Sequence, residues 1–161
     1  ITLNSASKAF NIAGLRCAVA CFGSAELHER FLERPRHVRG GLGTLGLQAT
    51  EAAWRHADPW LEQVRAHLEA QRDFVASFVR EELPGVGHHP PEATYLAWLD
   101  CRALELEPSP YRFFLERARV ALSDGRAFGA PGRGFVRLNF ATSRGLLREA
   151  LERMAKALAS R

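Results

Sequence analysis

The sequence predicts an α/β chain in two parts. A compact α+β layer runs from residue 47 to the end, preceded over residues 1–46 by a strand-and-helix piece of a larger unit. Three observations lead there. The run CAVACFG at 17–23 is small, apolar and closed by Gly23, as a strand buried on both faces would be. A capped helix follows it directly. From residue 47 the order reads helix, helix, strand, helix, strand, strand, helix, which is a helix-on-sheet layer. The chain has 161 residues, 47% of them hydrophobic and 25% charged, with 13 Gly and 8 Pro. That composition sets aside disorder, collagen-like repeats and a disulfide scaffold.

Each element has a local reason. Ser24 is placed to cap a helix whose apolar side is Phe31 and Leu32 and which stops before Pro35. The stretch RGGLGTLG at 39–46 lacks the Lys-Ser/Thr of a phosphate-binding P-loop, so it reads as a flexible lead into the next helix. Asp58-Pro59 divides the following helical pattern into helices over 46–57 and 59–83; Leu61, Val64, Leu68, Val75 and Phe78 form one stripe on the second. Pro84-Gly85 ends it, and a turn-rich link with His88-His89 leads to the β-forming run at 94–99. Ser109-Pro110 opens a helix through Arg119. Residues 120–123 and 135–140 read as strands flanking the loop 124–134. Thr142 or Ser143 caps a last helix with Leu147, Leu151, Met154 and Leu158 on one face.

Charge and cysteine content narrow the function. The net charge is +4, but no block of five like charges occurs, and the arginines lie scattered beside acids. No stripe is drawn for a phosphate backbone, so nucleic acid is not the expected partner. No apolar run reaches the roughly 18 residues that a membrane span needs. Three cysteines, Cys17, Cys21 and Cys101, sit in apolar surroundings, as reduced, buried thiols of a cytoplasmic protein would. Cys17 and Cys21 have no second ligand pair, and His88-His89 have no acidic or Cys neighbour, so no metal is expected. His28, His37 and His56 read as surface residues, Arg133 and Arg144 as solvated, and Trp54, Trp60 and Trp98 as core or interface packing. A chain that opens on Ile1 and holds its one Met at 154 is expected to be a piece of a longer protein.

Only two lysines are present, and one stands apart. Lys8, in SASKAFNIAGLRCA, lies among small and apolar residues with no carboxylate within ten positions. A desolvated amine of this kind is a nucleophile for carbonyls; the alternative is a lysine extended at the surface. Ser5, Ser7 and Arg16 bring two hydroxyls and a guanidinium fork, groups that hold a phosphate. An amine for an aldehyde beside a phosphate cradle suits pyridoxal phosphate. Arg137, in a predicted strand, reads on its own as an edge-strand ion pair.

The segment SxSKxFNIAGLRCA resembles the signature around the Schiff-base lysine of fold-type I pyridoxal-phosphate enzymes, the class I/II aminotransferase superfamily. The small residue three before Lys8, Asn11, Ile12, Gly14 and Arg16 carry the match; Cys17 stands where an aliphatic residue is usual. GRAFGAPGRGFVRLNFATS is similar to the family's carboxy-terminal segment, and ATYLAWLD at 93–100 to its small-domain strand. The resemblance implies that residues 1–46 end the large cofactor-binding domain and that 47–161 form the small one. It implies pyridoxal 5′-phosphate held by Lys8, Ser5, Ser7 and Arg16, Lys8 as the catalytic base, and Arg137 on the substrate α-carboxylate. Within the superfamily, the run after Lys8 and the stretch LGLQATEAAW look most like the cystathionine β-lyases and related C–S lyases. That branch cleaves sulfur amino acids to pyruvate, ammonia and a thiol. An aminotransferase and a non-catalytic ligand-sensing or interaction domain are the alternatives. The family also implies a homodimer of the full-length protein, an amino acid as the small-molecule partner, and an inactive 161-residue chain when alone.

Overall fold

The computed structural model describes residues Ile1–Arg161, which divide into two compact units, Ile1–Arg65 and Ala66–Arg161. The division falls inside the longest helix. No helix is long and apolar enough to cross a membrane.

In the first unit, β1 (Thr2–Asn4) pairs antiparallel with β2 (Val19–Cys21), Leu3 opposite Ala20. The strand expected at 17–23 is therefore short. It is not buried on both faces either, since β1 is fully exposed and Cys21 points to solvent. Two helices follow. In α1 (Ala25–Leu32), the Ser24 hydroxyl accepts the Leu27 N–H at 3.2 Å. The second, α2 (Thr44–His56), starts at the end of the glycine-rich stretch. Gly46 is the reason α2 can lie where it does: a methyl at this buried position would fall on the Leu15 carbonyl oxygen.

The long helix α3 (Asp58–Glu82) runs from the first unit into the second. The second unit is built on an antiparallel sheet in the order β3-β4-β6-β5, namely β3 (Gly87–His88), β4 (Leu96–Asp100), β5 (Ser123–Asp124) and β6 (Phe135–Asn139). β3 lies in the link that reads as turn in the sequence, because two residues leave no period to see. Alternation does the rest: Ala97, Leu99, Val136 and Leu138 face the core, while their neighbours face the other way. On the core side lie Val75 and Val79 of α3, Leu83 just after it, and Leu147, Leu151 and Met154 of α5 (Arg144–Ala159). Phe114 completes that core from the segment after α4 (Pro110–Phe113), where the helix widens into a π turn over Phe114–Ala118. Ser109 and Ser143 cap α4 and α5 as the sequence predicts.

Several surface expectations change. Cys17 and Cys101 are buried, but Cys21 is exposed. Burial pushes the Cys101 thiol up to about 12. Arg144 is half-buried and engaged: its guanidinium donates to the Ala70 carbonyl at 2.8 Å and lies 4.2 Å over the Phe74 ring. Trp54, Trp60 and Trp98 are all more than a third exposed rather than in the core.

Candidate functional site

The lysine segment is a tight turn. The Phe10 N–H donates to the Ala6 carbonyl and the Ile12 N–H to the Ser7 carbonyl, both at 3.0 Å. Two residues take left-handed backbone, Asn11 (φ 55°) and Arg16 (φ 51°). Asn is the side chain that tolerates this region with least penalty after Gly, which gives Asn11 of the motif a backbone reason. Ala6 is fully buried beneath the turn, and Phe10 stacks on Trp60 with ring centroids 6.2 Å apart.

Ser5 ties the turn to the next strand. Its Oγ lies 2.6 Å from Ser7 Oγ and 2.9 Å from the Cys17 carbonyl oxygen, and accepts the Ser7 N–H at 3.0 Å. A hydroxyl has one proton and a carbonyl can only accept. Donation to Cys17 therefore leaves Ser7 as the donor of the serine pair. Arg16 precedes Cys17 in the chain. Lys8 is exposed, as is Arg16. The neighbours of Lys8 in sequence are small and apolar, and in this chain the turn carries its side chain outward. None of the ion pairs in the structure involves Lys8, Arg16 or Arg137. The loop 5–17 therefore offers an unpaired amine, an unpaired guanidinium and two hydroxyls with no carboxylate among them. That donor set fits an aldehyde-bearing phosphate.

Arg137 belongs to the second unit and to the inner strand β6, which is hydrogen-bonded on both sides. The edge-strand ion pair does not occur. Register places Trp98, Arg137 and Ser123 in one row across β4, β6 and β5, on the face opposite the core. The half-buried guanidinium donates to Ser123 Oγ at 3.3 Å and lies 4.4 Å from the centroid of the Phe128 ring. Phe128 in turn meets Trp98 edge-on at 5.5 Å, and Trp98 stacks on Phe135 at 5.5 Å. The carboxylates of the flanking strands are already committed. Asp100 is bound by Arg102 and Asp124 by Arg126, at 2.7 and 2.6 Å, and those hydrogen bonds hold both carboxyls below their ordinary value. Sequence reading missed Ser123 and Phe128. Ser123 follows from strand pairing, and Phe128 sits in a loop with no period to betray its direction.

These features define a class, and the comparisons agree with it. The chain belongs to the family Aminotransferase class I and II, whose sequence model matches residues 1–154. Among its relatives, a candidate cystathionine β-lyase of Mycobacterium tuberculosis is 42% identical over 99% of this chain and 43% of its own length. The cystathionine β-lyase of Corynebacterium glutamicum is 37% identical over 98% of this chain and 42% of its own. A crystal structure of a candidate PLP-dependent β-cystathionase from Corynebacterium diphtheriae superposes with a TM-score of 0.93 at 44% identity, covering 98% of this chain and 42% of that one. The chain spans about two fifths of the length of the relatives it matches.

Proposed function

We propose that this chain supplies the lysine segment and the small domain of a pyridoxal-phosphate-dependent C–S β-lyase acting on sulfur amino acids. The observation that carries the reading is the loop 5–17, with its unpaired amine, unpaired guanidinium and two hydroxyls, in a chain similar to cystathionine β-lyases. Residues 1–46 belong to the large cofactor-binding domain and 47–161 to the small one. The full-length protein is a cytoplasmic homodimer.

Pyridoxal phosphate, when bound, supplies an aldehyde for amines and a conjugated ring that accepts an electron pair from Cα. Lys8 Nζ would hold the aldehyde carbon, and Ser5, Ser7 and Arg16 would hold the phosphate. For Ser5 to donate there, its proton must leave the Cys17 carbonyl, so a rotation of the hydroxyl accompanies binding. Once the substrate amine has taken the place of Lys8 on the aldehyde carbon, the freed Lys8 amine would accept the substrate Cα proton as general base. Arg137 pairs with the α-carboxylate through two parallel N–H donors, which fixes the orientation of the bonds at Cα. Overall, one sulfur amino acid and one water give a thiol, pyruvate and ammonium: the Cβ–S bond breaks and the sulfur gains a proton.

The test uses the full-length protein with L-cystathionine and no 2-oxo acid, following pyruvate. Pyruvate and thiol should form in equal amounts. Amino transfer that needs a 2-oxo acid would move the assignment to an aminotransferase, and absence of both activities would favour a ligand-sensing domain. The 161-residue chain alone should give no stable visible band with pyridoxal phosphate.

A further inference from the structure

The row Trp98–Arg137–Ser123 contains a guanidinium that is held but not neutralised. Charged side chains in a half-buried position normally acquire a carboxylate partner. Here the carboxylates of the two flanking strands are engaged by their own arginines two residues further along the chain, Asp100 of β4 by Arg102 and Asp124 of β5 by Arg126, and neither is paired with Arg137. Arg137 instead rests on the face of Phe128 and donates once, to a hydroxyl. An aromatic face attracts a cation without occupying its in-plane N–H donors, so the fork stays free for an incoming anion.

Phe128 is itself held in place by backbone. It ends the helical turn Gly125–Phe128, whose start is capped by the Asp124 carboxylate accepting the Arg126 N–H at 3.0 Å. Gly125 and Gly132, both buried, touch main chain to main chain. A methyl on Gly125 would fall on the carbonyl oxygens of Gly132 and Phe135, and one on Gly132 on that of Gly125. The loop is thereby pinned against β6, and Phe128, although half exposed, is presented over the guanidinium with the Trp98 edge behind it.

We propose that Phe128 is a positioning residue for substrate binding: its ring orients the Arg137 fork toward the α-carboxylate while leaving the charge uncompensated. This rests on the assignment of Arg137 to the carboxylate. It does not depend on which reaction follows.

The experiment uses the full-length holoenzyme and compares Phe128→Leu, Phe128→Tyr and the unaltered protein. The ligands are L-alanine, which has the carboxylate and no leaving group on Cβ, and ethylamine, which lacks the carboxylate. Binding is measured by calorimetry. Phe128→Leu should weaken L-alanine about fivefold, the size of one cation–π contact. Ethylamine binding should be unchanged, and Phe128→Tyr should restore L-alanine. With a reacting substrate, KM should rise by the same factor while kcat holds. In an Arg137→Ala background the Phe128→Leu effect should vanish. Equal weakening of both ligands, no weakening, or a Phe128→Leu effect that persists without Arg137 would overturn the role of Phe128 alone. Failure of the unaltered protein to bind L-alanine would overturn the underlying assignment, and the positioning role with it.

Discussion

The two units carry their functional side chains on different foundations. Around Lys8, little apolar surface is buried: Ala6, Cys17 and Ala53 are the buried apolar residues of the first unit, while Leu3, Val38, Leu42, Leu45 and Leu47 stand exposed. The turn keeps its shape through Ser5 and two main-chain hydrogen bonds of 3.0 Å. Around Arg137 the reverse holds. β6 is anchored by Val136 and Leu138 in a continuous core of α3, α5 and Phe114, and the guanidinium is carried on the opposite face. Within this chain, substitutions in the first unit should therefore cost less folding stability than those beneath Arg137.

The sharpest test of that contrast is Lys8→Ala. It should lower the lyase rate of the full-length enzyme by about 10³-fold or more and abolish the visible band of the lysine-bound cofactor. The melting temperature of this chain should barely move, because Lys8 is exposed and unpaired. A retained chromophore would count against the assignment of Lys8. Next in size, Phe114→Ala should cost about 3–5 kcal/mol in denaturant unfolding, since Phe114 is fully buried. Leu45→Ala, at an exposed position, should stay within about 0.5 kcal/mol.

Thiol chemistry gives a third contrast. At pH 8, Cys21 should be labelled at least about 100-fold faster than Cys101, which reacts only when the second unit opens. The pH dependence has a definite sign. Folding holds the Cys101 thiol neutral up to about 12, whereas the unfolded chain ionises it near 8.5. Stability from this group is full below pH 8.5 and declines as pH rises from there toward 12. Unfolding midpoints that rise over this range would contradict the burial of Cys101. The smallest contrast compares two helix caps. Ser143→Ala removes the hydroxyl that accepts the Leu146 N–H and should cost about 1 kcal/mol of global stability. Ser24→Ala removes the equivalent contact from α1, which has no buried residue, and should fray that helix without shifting the main transition.

Much of this was legible because the signals are local. Ser24, Ser109 and Ser143 announce their helices by a hydroxyl before an amphipathic run, and the alternation in 96–100 and 135–139 separates core from outer face. The lysine segment was legible as a motif, down to the Asn11 that its left-handed backbone requires. The rest depends on partners distant in the chain. Nothing near Arg137 in sequence tells that Asp100 and Asp124 are already bound, or that Phe128 folds back over it. Cys21 is exposed for a related reason: apolar neighbours in sequence do not ensure apolar neighbours in space when the element is a short outer strand.

The main-chain contact of Gly125 with Gly132 bears on how the specificity of such a protein could be altered. Positions 125 and 132 have no neutral substitution to explore, so variation there removes molecules from the folded pool before their selectivity can be assayed. Positions 98 and 128, whose side chains are partly in solvent on a fixed backbone, can change shape without that penalty. A library that randomises the second pair and freezes the first would vary the surroundings of Arg137 while keeping the backbone beneath it.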